Sequence, residues 1–272
     1  MATLQELLTA ARIGIAVVFL LYSSWSDHKT REVDNIVWAL FAPLAAALTL
    51  TEICLYQNSL LLALGFSVGL TVLISFALFY SGGFGGADAK ALMCLALALP
   101  FYPANLFTPL SGEISPISQT VFPVVAFSNG VMFAAATAVY MLFRNLIWRL
   151  TSGGRLFEGG QEKESVGKKA LVLLTGYKMP VHRLKEKWHL YPLEDTEETP
   201  EKRLRRKLVV IPRDETRNAT VERLSKAVET GAIKDGILAT PGLPMLIFIT
   251  AGLIVGLVFG DLMWIFVRLL LK

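Results

Sequence analysis

The sequence predicts an all-α, polytopic membrane bundle of about six transmembrane helices, with a small α+β cytoplasmic domain inserted between helices five and six. Three observations carry that prediction. Hydrophobic residues make up 54% of the 272 and charged residues 18%, against roughly 25% charge in ordinary soluble domains. The apolar residues fall in runs long enough to cross a bilayer, which takes about 20 residues in a helix. The charge is gathered in one place: 20 of the 26 Lys and Arg lie between Arg144 and Lys234. That segment is net positive, while the remainder of the chain is net negative.

The expected spans are residues 7–26, 36–55, 59–80, 89–103, 121–147 and 243–269. The fourth is short and follows a glycine-rich stretch. Orientation follows from the basic loops, since Lys and Arg favour the cytoplasmic side. Lys29 and Arg31 follow the first span, and the basic segment follows the fifth. The loops around Gln57-Asn58 and from Pro103 to Gln119 contain neither Lys nor Arg. Both termini are therefore expected outside the plasma membrane. The domains implied are residues 1–148 (five membrane helices), 149–239 (the soluble basic domain) and 240–272 (the sixth helix).

Within the soluble domain, Ala170–Leu174 and Leu208–Ile211 are apolar enough for strands, and Thr216–Glu229 has helical spacing at Val221, Leu224 and Val228. Glu194 to Lys207 is a charge run, acidic then basic, expected as a solvated loop. An alternative use divides it: Lys202, Arg203, Arg205, Arg206 and Lys207 on anionic headgroups, and Glu194, Asp195, Glu197 and Glu198 free to attract basic peptide. Cys54 and Cys94 lie in apolar runs, and both are expected to be buried thiols.

The chemistry-bearing candidates are acidic residues at membrane edges. His28, His182 and His189 have no metal-ligand spacing, and no phosphate-binding glycine loop is present. Asp27 ends the first span, and Asp88 begins the fourth after Gly82-Gly83-Phe84-Gly85-Gly86-Ala87. By the topology above they share one cytoplasmic depth. Two close carboxylates share a proton, so one can activate water while the other polarises a carbonyl. Each also has an ordinary reading, Asp88 as a helix N-cap and Asp27 as a polar boundary residue, and spacing alone leaves both open.

At these residues the sequence resembles a known family. Gly85-Gly86-Ala87-Asp88-Ala89-Lys90 is similar to the Gly-x-Gly-Asp signature of membrane aspartic peptidases. That group comprises archaeal preflagellin peptidases, type IV prepilin peptidases and, more distantly, presenilin and signal peptide peptidase. Asp27, followed by His28-Lys29-Thr30-Arg31-Glu32-Val33-Asp34-Asn35, resembles the segment holding the other catalytic aspartate. Pro241-Gly242-Leu243-Pro244 is similar to the Pro-Ala-Leu element of presenilins, and a Pro-rich helix start explains it equally well.

Two departures stand out: Ala87 replaces the usual glycine, and Asp34 stands where proline is common. The resemblance implies that Asp27 and Asp88 are catalytic. Gly85, Gly86, Ala87 and Lys90 would form the motif and the loop by which substrate arrives, with Lys90 biasing the dyad electrostatically. It implies a preflagellin or pilin-like precursor with a short basic leader as substrate, cut at the cytoplasmic face. Membrane lipids are the other partner. No metal, organic cofactor or nucleic acid is implied, and oligomeric state is left open. The alternatives are a peptidase of the same family serving other secreted pilin-like proteins, or a non-enzymatic channel or transporter using the aspartates as an ion site.

Overall fold

The computed structural model describes residues 3–82, 84–198, 204–210, 212, 214–241 and 244–271, with the backbone alone for Ser152, Glu198, Asp214 and Glu215. The helices in chain order are α1 (Leu4–Thr30), α2 (Asn35–Tyr56), α3 (Leu61–Tyr80), α4 (Gly86–Ala98), α5 (Pro116–Thr120) and α6 (Phe122–Ser152). They continue with α7 (Val166–Thr175), α8 (Val181–Glu186), α9 (Asp214–Glu229), α10 (Met245–Val258) and α11 (Leu262–Leu270). The strands are β1 (Tyr177–Met179), β2 (Leu190–Pro192), β3 (Glu194–Glu198), β4 (Leu204–Leu208) and β5 (Ile237–Pro241). Two compact units result, Met1–Ala134 with Pro244–Lys272, and Ala135–Leu243.

Four helical stretches are long and apolar enough to cross a membrane: α1, α2, Asn58–Tyr80 and Phe122–Thr151. The bent pair α10 and α11 makes a fifth if counted as one span. The six expected spans are corrected at two points. The helix at the expected fourth span, α4, has only 13 residues, about 20 Å at 1.5 Å per residue, against a hydrocarbon core near 30 Å. It is a core element instead, packed on α1, α2, α3 and α10, with Ala89, Ala91, Leu92, Cys94, Leu95, Ala96 and Ala98 buried. Alanines on several sides let neighbours approach it all round.

The expected sixth span breaks at Gly260, which takes φ 94°, and α10 and α11 meet at 70°. Asp261 caps α11 by accepting from the Trp264 N–H at 3.0 Å, while Ser115 Oγ donates to its other oxygen at 2.7 Å. Asn129 accepts from the Leu262 N–H at 3.0 Å and donates to the Gly260 carbonyl at 3.0 Å. The polar groups freed by the break are thus taken up inside the protein, as a bilayer demands.

Close backbone approach holds α6 against α10. A Cβ on Gly130 would lie 2.7 Å from the Phe248 carbonyl, and one on Gly252 would strike the backbone of Ala126 and Gly130. Small residues at such contacts are the usual device where lipid supplies no hydrophobic drive between helices. A buried ion pair joins α1 to α2: Arg12 Nε lies 3.3 Å from Glu52 Oε2. Thr9 Oγ1 donates to Glu52 Oε1 at 2.9 Å, and Asn105 Nδ2 donates to Thr9 Oγ1 at 2.8 Å. Cys94 is buried as expected, but Cys54 is exposed.

The second unit holds an antiparallel three-stranded sheet of order β1-β5-β2 and a β3-β4 hairpin. The segment Ala170–Leu174, expected as a strand, is helical and part of α7. Ser165 caps that helix by accepting from the Lys168 N–H, and a short apolar run cannot by periodicity be told from a buried helix. Of the other expected strand, Leu208 ends β4, Val209 and Val210 follow it, and Ile211 lies outside the described residues. The expected helix at Thr216–Glu229 is present within α9, with Val221 and Leu224 buried and Val228 packed against the same cluster.

The charge run is not a solvated loop. Its two halves pair as β3 and β4 in the register Asp195↔Lys207, Thr196↔Arg206, Glu197↔Arg205. Glu194 is fully buried, and Arg206 Nη2 meets its Oε1 at 2.5 Å. Gln161 and the Leu238 N–H also donate to Glu194. Asp195 is bound by Arg223 at 2.7 Å and Glu197 by Lys207 at 3.4 Å. Glu194, Asp195 and Glu197 of the acidic half are therefore paired within their own unit rather than free to attract peptide. Glu201, Lys202 and Arg203, and the side chain of Glu198, lie outside the described residues.

Candidate active site

The site is built from the turn after α1 and the start of α4. Asp27 sits in the last turn of α1, whose backbone ends at Arg31 in the left-handed region (φ 60°, ψ 17°), its N–H donating to the Asp27 carbonyl at 2.9 Å. Ser26 Oγ and Thr30 Oγ1 both donate to the Glu32 carbonyl, at 2.8 and 3.0 Å. These two bonds fix the turn just after Asp27. Asp34 then caps α2 by accepting from the Ile36 N–H at 3.0 Å, which gives it a structural task.

Asp88 is the third residue of α4. Its Oδ2 accepts from the Gly85 N–H at 3.0 Å, reaching back across the helix start. A carboxylate there suits the positive end of the helix dipole, and it fixes the side chain at the helix rim. Glycine at 85 has a steric reason, because a Cβ would stand 3.2 Å from that same Oδ2. Gly86 carries no such demand, since its Cβ would meet only the Phe79 ring at 3.8 Å. Gly82, at φ 77°, is the residue that turns the chain toward the motif; Gly83 lies outside the described residues.

Asp27 and Asp88 line one cavity of about 550 Å³. Gly85, Gly86 and Ala87 form one wall, and the turn from Arg31 to Asn35 forms the other. Both aspartates are partly buried, while Gly85 and Gly86 are exposed, so the cavity opens beside the motif. Two elements far apart in sequence thus place the candidate carboxylates on one cavity. Lys90 is held elsewhere: it is exposed, and its Nζ donates to Asn35 Oδ1 at 2.6 Å. Through Asn35 it touches the rim of the cavity. Sequence reasoning missed Arg31 and Asn35 as cavity residues, and no spacing rule marks a left-handed arginine. Of the Pro-rich element, Pro241 ends β5 and Pro244 caps α10, while Gly242 and Leu243 lie outside the described residues.

A hollow of about 600 Å³ in the second unit is lined by Arg155, Glu158, Glu162 and Arg206 among others. Both of its carboxylates are paired, Glu162 with Arg155 at 3.1 Å and Glu158 with Arg206 at 3.5 Å. It offers no unspent carboxylate pair. Among the described residues, no three His, Cys, Asp or Glu are placed to hold a metal ion.

Residues 14–139, which hold both aspartates, match the model of the type IV leader peptidase family. Residues 168–262 match that of the archaeal peptidase A24 C-terminus, type II. The chain is thus similar to the type IV leader peptidase family over its first half and to the archaeal C-terminal type over most of its second. Its relatives include a preflagellin peptidase of Methanococcus maripaludis, 28% identical over 65% of this chain and 71% of the relative. A preflagellin peptidase of Methanococcus voltae is 28% identical over 49% of this chain and 57% of the relative. One from Methanocaldococcus jannaschii is 24% identical over 61% and 66%. The match to the leader peptidase family begins within α1 and ends within α6, so it takes in both walls of the aspartate cavity.

Proposed function

We propose that this chain is a member of the type IV leader peptidase family and a membrane-embedded aspartic endopeptidase. It removes short basic leaders from preflagellin or other pilin-like precursors at the cytoplasmic face of the plasma membrane. The observation that carries this is the convergence of Asp27 and Asp88 on one open cavity. The family match and the names of the relatives supply the substrate class.

The chemistry follows from two carboxylates of like charge at close range, which hold one proton between them. The ionised member takes a proton from a water molecule, whose oxygen attacks the scissile carbonyl carbon. The protonated member hydrogen-bonds to the carbonyl oxygen and gives it the shared proton as the tetrahedral intermediate forms. On collapse the C–N bond breaks, the aspartate protonated by water gives that proton to the departing nitrogen, and a hydroxyl of the gem-diol gives its proton to the other aspartate, which restores the singly protonated pair. The proton belongs to the pair, because coupled groups titrate as a unit. The exposed glycines at 85 and 86 let an extended peptide backbone come close without side-chain obstruction.

The test is cleavage of a co-expressed precursor by Asp27→Asn and Asp88→Asn variants. Each keeps the side-chain shape but removes an ionisable oxygen. Each should abolish cleavage while membrane insertion is unchanged, and the double variant should be no worse, since the two act together. Substantial cleavage by either single variant refutes the aspartic mechanism.

A further inference from the structure

Arg31 is the one non-glycine residue with positive φ among those described. Residues with a Cβ rarely adopt that conformation, and a helix that ends this way usually does so on glycine. The turn is over-determined: the Arg31 N–H bonds to the Asp27 carbonyl, and Ser26 and Thr30 both clamp the Glu32 carbonyl. Such clamping is what lets a strained residue persist, and strained residues gather at functional sites. Glycine would make the same turn without strain. What arginine adds is a guanidinium, and it adds it at the wall of the aspartate cavity.

The charges around that cavity are lopsided. Asp27 comes from α1, Glu32 and Asp34 from the turn, and Asp88 from α4, and Arg31 is the one cation among the described lining residues. His28 is exposed and near Asp27, and Lys90 is tied to Asn35. The charge of Arg31 is felt by both Asp27 and Asp88. Four carboxylates alone would favour uptake of a second proton by the dyad, which would leave no base to activate water.

We propose that Arg31 is a positioning residue for the dyad, its guanidinium keeping one of the two aspartates ionised while the other holds the proton. The proposal rests on the aspartic reading above and goes beyond it in naming what sets the dyad's protonation state. It also predicts why the turn carries arginine: the strain is tolerated in exchange for a cation that can reach both walls.

Full-length Arg31→Gly, Arg31→Met and Arg31→Lys variants would be reconstituted in liposomes with a precursor peptide, and the cleavage rate measured against pH. Arg31→Gly and Arg31→Met should each move the acidic limb of the profile to higher pH by about one unit, as expected for loss of a nearby opposite charge. Both should slow cleavage roughly fivefold at the midpoint of the wild-type acidic limb, approaching tenfold only below it. Arg31→Lys should restore the limb to within a few tenths of a unit. Arg31→Gly relieves the backbone strain, so it tests charge without threatening the fold.

If Arg31→Gly matches wild type in rate and limb, the residue serves only the turn and the proposal is overturned. A slowed Arg31→Met with an unmoved limb overturns it equally. Asp27→Asn and Asp88→Asn run in the same assay separate the two failures. Activity in either sinks the aspartic mechanism itself, whereas two dead aspartate variants beside a normal Arg31→Gly sink only the role of Arg31.

Discussion

Replacing Glu52 by leucine should destabilise the membrane unit by about 3–5 kcal/mol, because it strands a buried guanidinium. Arg12 and Glu52 have side chains only 7% and 6% exposed, and their closest atoms are 3.3 Å apart. That contact is not aligned as a hydrogen bond, so the attraction is coulombic and works at low dielectric. Glu52 spends its other oxygen on Thr9, which Asn105 in turn supports. Arg12→Met should cost toward the lower end of the range, since Glu52 keeps the Thr9 bond. The double variant Arg12→Met/Glu52→Leu should return to within about 1 kcal/mol of wild type, as buried pairs replaced by apolar groups often do.

The assay is reversible unfolding in mixed micelles titrated with a denaturing detergent, read as a double-mutant cycle. Arg12 lies 15 residues before Asp27 on one helix, about 22 Å at 1.5 Å per residue. Cleavage by the folded fraction should therefore be unchanged. If Glu52→Leu costs less than about 1 kcal/mol, or the double variant is as unstable as the two singles summed, the pair does not hold α1 against α2 in the way argued.

Lys90→Met and Asn35→Leu should each lower cleavage by less than tenfold, and the double variant should be no worse than either, because they break one 2.6 Å link between α4 and α2. Rate measurements on the three variants decide it, and additive losses would mean Lys90 acts on substrate instead. In the second unit, Glu194→Leu should lower stability by about 3 kcal/mol, because buried Arg206 loses its closest carboxylate and keeps only Glu158 at 3.5 Å. Thermal unfolding of the full chain measures this, and Arg206→Met/Glu194→Leu should recover most of the loss. The effect should hardly change with salt, since the pair is shielded from solvent; a strong salt dependence would return the hairpin to the solvated class.

Read from residue order alone, α1, α2, α3 and α6 were plain, because each run of lipid-compatible side chains is about as long as a bilayer is thick. The concentration of Lys and Arg after Arg144 marked the polar second unit for the same reason. The placing of Asp27 and Asp88, each at the edge of a separate apolar run, was legible in the same way. Hydropathy, however, scores a residue's preference for leaving water and does not say whether lipid or protein receives it. Hence α4 read as a span although its alanines face other helices, and Cys54 read as buried although it is exposed. The break at Gly260-Asp261 was hidden inside an apolar run because its polar groups are satisfied by Ser115 and Asn129, more than 100 residues away. The charge run concealed a hairpin because period-two alternation is invisible when both faces of a strand are charged, and only pairing shows that Glu194 and Arg206 turn inward. The left-handed turn at Arg31 was likewise beyond the sequence, since its clamps, Ser26 and Thr30, act through one carbonyl whose position exists only in the folded chain.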